Sequence, residues 1–184
     1  MPKEYSKVTF HGKTTDYRTA VMARLVERRL GVQFVCWQGS YSDGSLSAGT
    51  HTGGGALDLN VPGDPATIVR VLRKQGFAAW YRGPDSGFDP HIHAIDIGNR
   101  KLSPGAASQV VKYRAGGDGL AGSNPDPQPF RPPPFYDYVT VDGFDFGAWK
   151  AARKLRQQLS DLTDRIKELS RRRKQAKRKL ARLS

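Results

Sequence analysis

Up to about residue 114 the apolar positions fall into short runs separated by glycine and proline, a pattern that predicts alternating helices and strands. Residues 15–30 carry helical spacing, opened by a Thr/Asp cap and closed by Gly31. Residues 32–37 (VQFVCW) read as a buried strand, and residues 56–60 (ALDLN) alternate as a second. An amphipathic helix follows over 65–75, then strands over 77–82 (FAAWYR) and 91–97 (HIHAIDI), and a closing helix over 104–114. The domain is therefore expected to be α+β.

The pattern changes beyond residue 114. Residues 115–135 hold four Gly and six Pro in 21 positions, too little apolar content to pack alone and too much proline for a helix, and so read as a linker. After an aromatic stretch, the chain from about Asp145 to Ser184 lacks proline, has no glycine after Gly147, and reads as one long helix. Its apolar positions Ala148, Ala152, Leu155, Leu159, Leu162, Ile166, Leu169, Ala176, Leu180 and Leu183 follow a four-three spacing, interrupted at Arg173. That is the seam of a left-handed coiled coil, and it wants a partner helix. Asp161 with Arg165 and Glu168 with Arg172 stand at the i,i+4 spacing that supports a helix by a few tenths of a kcal/mol. Three parts result: a domain over 1–114, a Gly/Pro-rich linker with an aromatic stretch over 115–144, and a basic coiled-coil helix over 145–184.

Charge sharpens this division. Of the formal net charge of +13, residues 150–184 hold 14 Lys/Arg against 3 Asp/Glu, so the domain is nearly neutral and the basicity belongs to the tail. A tail of this kind suits a polyanion such as an anionic wall polymer, a membrane surface or nucleic acid, or assembly into a homo-oligomer. A near-neutral domain argues against a protein built around nucleic-acid binding. No run approaches the ~20 apolar residues of a membrane span, and the N-terminus shows no signal-like apolar stretch. Synthesis in the cytoplasm is the expectation, with any action on the cell wall following release or occurring as part of a virion.

Cys36 is the only cysteine, which excludes an internal disulfide and leaves His and carboxylates as metal ligands. Three of the four histidines, His51, His91 and His93, lie beside Gly, Pro or Asp around the second and fourth predicted strands; His11 reads as incidental surface. Alternation along a strand puts His91 and His93 on one side of the sheet. The three glycines after His51 permit a tight path that returns its imidazole over the strand carrying Asp58. His51, Asp58 and His93 can then offer two nitrogens and one oxygen to one divalent ion, with a fourth position left for water, which suits one catalytic zinc per chain.

These residues carry a resemblance. SAGTHTGGGALDLN resembles the Ser-x-His-x-x-Gly-x-Ala-x-Asp motif of the zinc D-alanyl-D-alanine carboxypeptidases and the related L-alanyl-D-glutamate endolysins, and DPHIHAI resembles the HxH element of the wider lysostaphin, D-Ala-D-Ala and hedgehog-type metallopeptidase superfamily. The likeness covers roughly residues 15–114. It implies a small antiparallel sheet with flanking helices, zinc on His51, Asp58 and His93, and hydrolysis of a peptide bond in peptidoglycan. The carboxypeptidases place a Glu three residues before the last ligand as general base; here that position is Pro90, and no Glu lies between Arg29 and Arg153. His91 or Asp89 then takes the base role, and geometry along the strand favours His91. Gln38 and Tyr41 in the QGSY turn stand where related enzymes place oxyanion donors, and Ser47 is positioned to hold the loop or touch substrate. Trp80 and Tyr81 serve as cleft lining or as core. The layout of domain, linker and helix is similar to lysins of phages that infect actinobacteria. The alternative is a non-catalytic structural or virion-associated module whose basic coiled coil mediates assembly or polyanion binding.

Overall fold

The computed structural model describes residues 3–42, 49–122, 124–132, 158–159 and 161–172. The chain divides into two units, Met1–Gly143 and Phe144–Ser184. The first is α+β, with two small antiparallel sheets.

It opens on a hairpin of β1 (Lys7–Phe10) and β2 (Lys13–Asp16), absent from the pattern reading because six of its eight side chains are polar and leave no apolar alternation. The two-residue turn puts both His11 and Gly12 at positive φ, the geometry that matches the twist of paired strands. This corrects the surface reading of His11: its Nε2 lies 2.5 Å from Glu27 Oε1 on the neighbouring helix, and the side chain is largely covered. That helix, α1 (Tyr17–Leu30), begins where Asp16 accepts a hydrogen bond from the Thr19 N–H and ends at Gly31 in the left-handed region.

The main sheet contains β3 (Cys36–Gln38), β4 (Ala56–Leu59), β5 (Phe77–Arg82) and β6 (His91–Asp96) in the order β3-β4-β6-β5. All pairs are antiparallel. β3 is shorter than the apolar run predicted because its register shifts between Cys36 and Gln38, and Val35 instead bonds Asn60 through side chain and backbone. Helix α2 (Pro65–Lys74) is capped by Asp64, and α3 (Pro104–Arg114) by Ser103.

Period-two alternation divides the sheet's residues between two apolar layers. One face sends Leu57, Leu59, Phe77 and Ile92 into a core shared with Met22 of α1 and Leu72 of α2. The opposite face sends Ala56, Ala78 and Ile95 against Ala106, Val110 and Tyr113 of α3. At roughly 25 cal/mol per Å² of apolar area these two layers supply the main stabilisation. A buried polar cluster ties the ends of the elements together. Arg18 donates from Nε to Asp96 at 2.6 Å, while Asp16 accepts from the Gly55 N–H and from Asn99 Nδ2. Removing one partner of a buried ion pair of this kind costs about 3–5 kcal/mol, so the cluster fixes the path of the loop ahead of β4.

The Gly/Pro-rich stretch folds back on the domain as far as Pro132. Trp80 donates from its indole to the Gly117 carbonyl, and buried Asp126 accepts from both Arg73 and Arg131 at 2.6 Å. Arg131 lies 4.1 Å over the Tyr113 ring. Hydrogen bonds and cation–π contacts seat a segment whose apolar content is low.

In the second unit, residues 161–172 are helical. Leu162, Ile166 and Leu169 are 54%, 63% and 64% exposed, forming an apolar stripe, and Arg172 bonds Glu168 at 3.0 Å. Seam positions Ala148, Ala152, Leu155, Arg173, Ala176, Leu180 and Leu183 lie outside the described residues. Among the described residues no helix is long and apolar enough to cross a membrane.

Candidate metal centre

Strand register assembles the site. Asp58 on β4 is opposite His93 on β6, which is in turn opposite Trp80 on β5. Residues paired across antiparallel strands project to the same face, so these side chains share the α3 side of the sheet with His91, Arg82 and Gln38.

His51 arrives from a short 3-10 turn, Thr50–Thr52, held down because Ser103 donates its hydroxyl to the Thr50 carbonyl. The chain then passes so close to residues 101–103 that a Cβ on Gly53 would stand 2.3 Å from the Ser103 nitrogen. Gly55 follows at φ +84, a conformation open chiefly to glycine. This path lays His51 against the sheet, 1% exposed, with Nε2 3.2 Å from Asp58 Oδ2. His93 Nδ1 lies 2.6 Å from Asp58 Oδ1. One ligand atom from each of His51, Asp58 and His93 falls within 4.8 Å of the others.

The remaining nitrogen of each imidazole is engaged on the far side. His51 Nδ1 donates to the Gly39 carbonyl at 2.9 Å, which leaves Nε2 as the ligand nitrogen. His93 Nε2 is 2.8 Å from Gln109 Oε1 on α3, which leaves Nδ1 facing Asp58. Such outer hydrogen bonds fix the tautomer and ring orientation that metal ligation requires. Burial opposes a charge on Asp58, but the attraction of His93, and after it of His51, outweighs this and holds the carboxyl far below the usual carboxylate range. Burial pushes His93 below its ordinary 6.5 despite the pull of Asp58. An anionic carboxylate and a neutral imidazole at pH 7 are the forms that bind a divalent cation. With His51 as the second nitrogen, the set fits zinc in donor type and number.

Gln109 is absent from the sequence reading. Its signal was there: Ala106, Val110 and Tyr113 form the buried stripe of α3, and Gln109, at the i+3 position, interrupts the same stripe with a polar side chain. Gln109→Ala is expected to weaken zinc binding by about 10- to 100-fold in a competition titration against a chelator, with the fold retained.

A second expectation concerns acid. Folding keeps His93 neutral where the unfolded chain protonates it, so the unfolded state binds the extra proton and this group's contribution to stability falls as pH drops below about 6.5. Asp96, whose carboxyl burial raises to about 6, acts in the opposite direction over the same range, so the His93 contribution is read as the difference between wild type and His93→Gln in urea midpoints of the metal-free protein at pH 7 and pH 5.

A cavity of about 190 Å³ opens beside the triad, bordered by Gln38, Arg82, Phe88, His91, Gln109 and Leu120. His91 is oriented by the Asp89 backbone carbonyl, 2.7 Å from Nδ1, and its Nε2 lies 3.9 Å from Asp58 Oδ1. The aromatic side chains of Trp37 and Phe88 flank the His91 ring at 6.1 and 5.9 Å and are 45% and 40% exposed. Asp89 thus meets His91 through its main chain, and its own residue is exposed and outside the cavity lining. Gln38 reaches the cavity while donating to Ser42 Oγ. Tyr41 does not: at φ 59 it turns toward Gly54, and Lys7 covers its ring. Ser47 lies outside the described residues. Trp80 is buried and stacks beneath His93 with ring centroids 6.1 Å apart, whereas alternation sends Tyr81 to the other face, against the α1/α2 core.

Comparison with protein-family models, curated proteins and solved structures finds no match to this chain.

Proposed function

We propose that the protein is a zinc-dependent peptidase that hydrolyses a peptide bond in cell-wall peptidoglycan, as a phage lysin of the D-Ala-D-Ala metallopeptidase kind. The observation that carries this reading is the convergence of His51 Nε2, the Asp58 carboxylate and His93 Nδ1, with an accessible imidazole, His91, beside them. Bound zinc supplies a Lewis acid for the scissile carbonyl and lowers the pKa of water toward ~7.

The chain's own residues supply the rest. His91, its Nδ1–H held by the Asp89 carbonyl, presents Nε2 to accept a proton from the attacking water and return it to the leaving amine. Gln38, on the cavity wall, would donate its second amide hydrogen to the developing oxyanion. Asp89 serves through its backbone, so its carboxylate is not needed as the base. The basic tail would hold the enzyme near anionic wall polymers.

Digestion of purified peptidoglycan, read by mass spectrometry of the fragments, tests the reading and names the bond. Wild type should release stem-peptide fragments and His93→Ala none; intact peptidoglycan after incubation with zinc-loaded protein would refute it.

A second reading draws on the exposed stripe of Leu162, Ile166 and Leu169, which favours self-association through the helix. Light scattering over a range of concentrations distinguishes a dimer or trimer from a monomer, and removal of residues 146–184 should abolish any association. An associating protein that leaves peptidoglycan intact would be an assembly module.

A further inference from the structure

Arg82 ends β5 on the same face of the sheet as the triad. Its residue is 4% exposed, yet it borders the cavity beside the candidate metal ligands. Its guanidinium lies 5.2 Å over the Trp80 ring, and Nη2 is buried with no hydrogen-bond partner. No ion pair within 4.0 Å satisfies it among the described residues. The carboxylates whose charge it feels are occupied elsewhere: Asp118 accepts from the Leu120 N–H, Asp126 takes Arg73 and Arg131, and Asp58 takes His51 and His93. A buried guanidinium with an unused donor costs free energy that an anionic ligand would recover.

The register says which part of a substrate that ligand belongs to. Trp80 faces the metal ligand His93, whereas Arg82 faces His91, one two-residue step further along the strands, roughly 7 Å. His91 is the group that hands its proton to the leaving amine, so Arg82 stands on the leaving-group side. We infer that Arg82 binds a free carboxylate carried by the carbon that bears the leaving nitrogen, and thereby selects substrates that possess one. This rests on the peptidase reading above. The three candidate bonds, L-Ala–D-Glu, terminal D-Ala–D-Ala and the D-Ala cross-link to a diamino acid with a carboxylate on the amine-bearing carbon, share that group; an interior bond of an ordinary polypeptide lacks it.

The test compares N-acetyl-D-alanine with N-acetyl-D-alaninamide, which differ only in that carboxylate, by NMR titration of the zinc-loaded full chain followed at the Trp80 indole and Arg82 Nε–H signals. The acid is expected to bind about 10- to 100-fold more tightly than the amide, as a charge-assisted bidentate contact requires. Arg82→Gln should bring the ratio near one, and Arg82→Lys should keep an intermediate ratio, with zinc content unchanged in both. Should Arg82→Gln fail to fold, the comparison passes to Arg82→Lys, where an undiminished ratio counts against the proposal. Equal binding of acid and amide by wild type, or a ratio that survives Arg82→Gln, overturns it. A ratio lost in Arg82→Gln by a protein that leaves peptidoglycan intact keeps the carboxylate site and removes the peptidase; cleavage of peptidoglycan with an unchanged ratio does the reverse.

Discussion

Alanine at His51, Asp58 or His93 is expected to take bound zinc from one ion per chain to nearly none and to lower kcat/KM on peptidoglycan fragments by about 10³-fold or more. Lewis-acid polarisation and activation of water are each worth several kcal/mol, and every 1.36 kcal/mol is tenfold in rate. The three substitutions should differ in what they do to the fold. His51 and His93 are buried and already bonded to Gly39 and Gln109, so shortening either leaves a void and one unpaired partner. Asp58 stands between two imidazoles, and its loss removes the group that holds both nitrogens toward one point. Asp58→Asn keeps the shape and removes the charge, and should lose zinc with the smallest change in urea midpoint. Metal analysis after dialysis, paired with circular dichroism, reads both effects. Full zinc occupancy in His93→Ala would show that the three side chains do not act as one site.

The second large effect belongs to His91. General acid–base catalysis contributes about 10²- to 10⁴-fold, so His91→Ala should lower kcat by that amount while zinc content stays at the wild-type level. Its separation of 3.9 Å from Asp58 and its partly open position place it beside the metal ligands rather than among them. Asp89→Ala is the paired control: the backbone carbonyl that orients His91 survives the substitution, and kcat should change by less than about tenfold. A large loss in Asp89→Ala with little in His91→Ala would move the base to the carboxylate.

Much of the site could be read along the chain because its parts obey short-range rules. Alternation put His91 and His93 on one face, and three glycines after His51 announced a close backbone path. The helices expected over 65–75 and 104–114 form as Pro65–Lys74 and Pro104–Arg114, each with a capping side chain and proline in its first turn. Local signals failed where an element owes its stability to something distant. The β1–β2 hairpin carries little apolar content and was missed, and β3 was read too long because its ladder depends on a register with β4. His11 looked incidental because Glu27 lies sixteen residues away. Tyr41 seemed a donor, but its positive φ turns it from the cavity.

The sequence by itself determined the α+β pattern, the concentration of positive charge after residue 149, and the residue types able to hold a metal, since each depends on neighbours within a turn or a strand. Only the tertiary structure decided that Gln109 fixes the His93 tautomer, that the Gly/Pro-rich stretch is seated by Arg73 and Arg131, and that Arg82 borders the cavity with an unused donor. The Gln109–His93 and Arg73–Asp126 contacts join residues 16 and 53 positions apart in the chain. Their existence depends on strand register and side-chain direction in three dimensions, which no periodicity within one segment encodes.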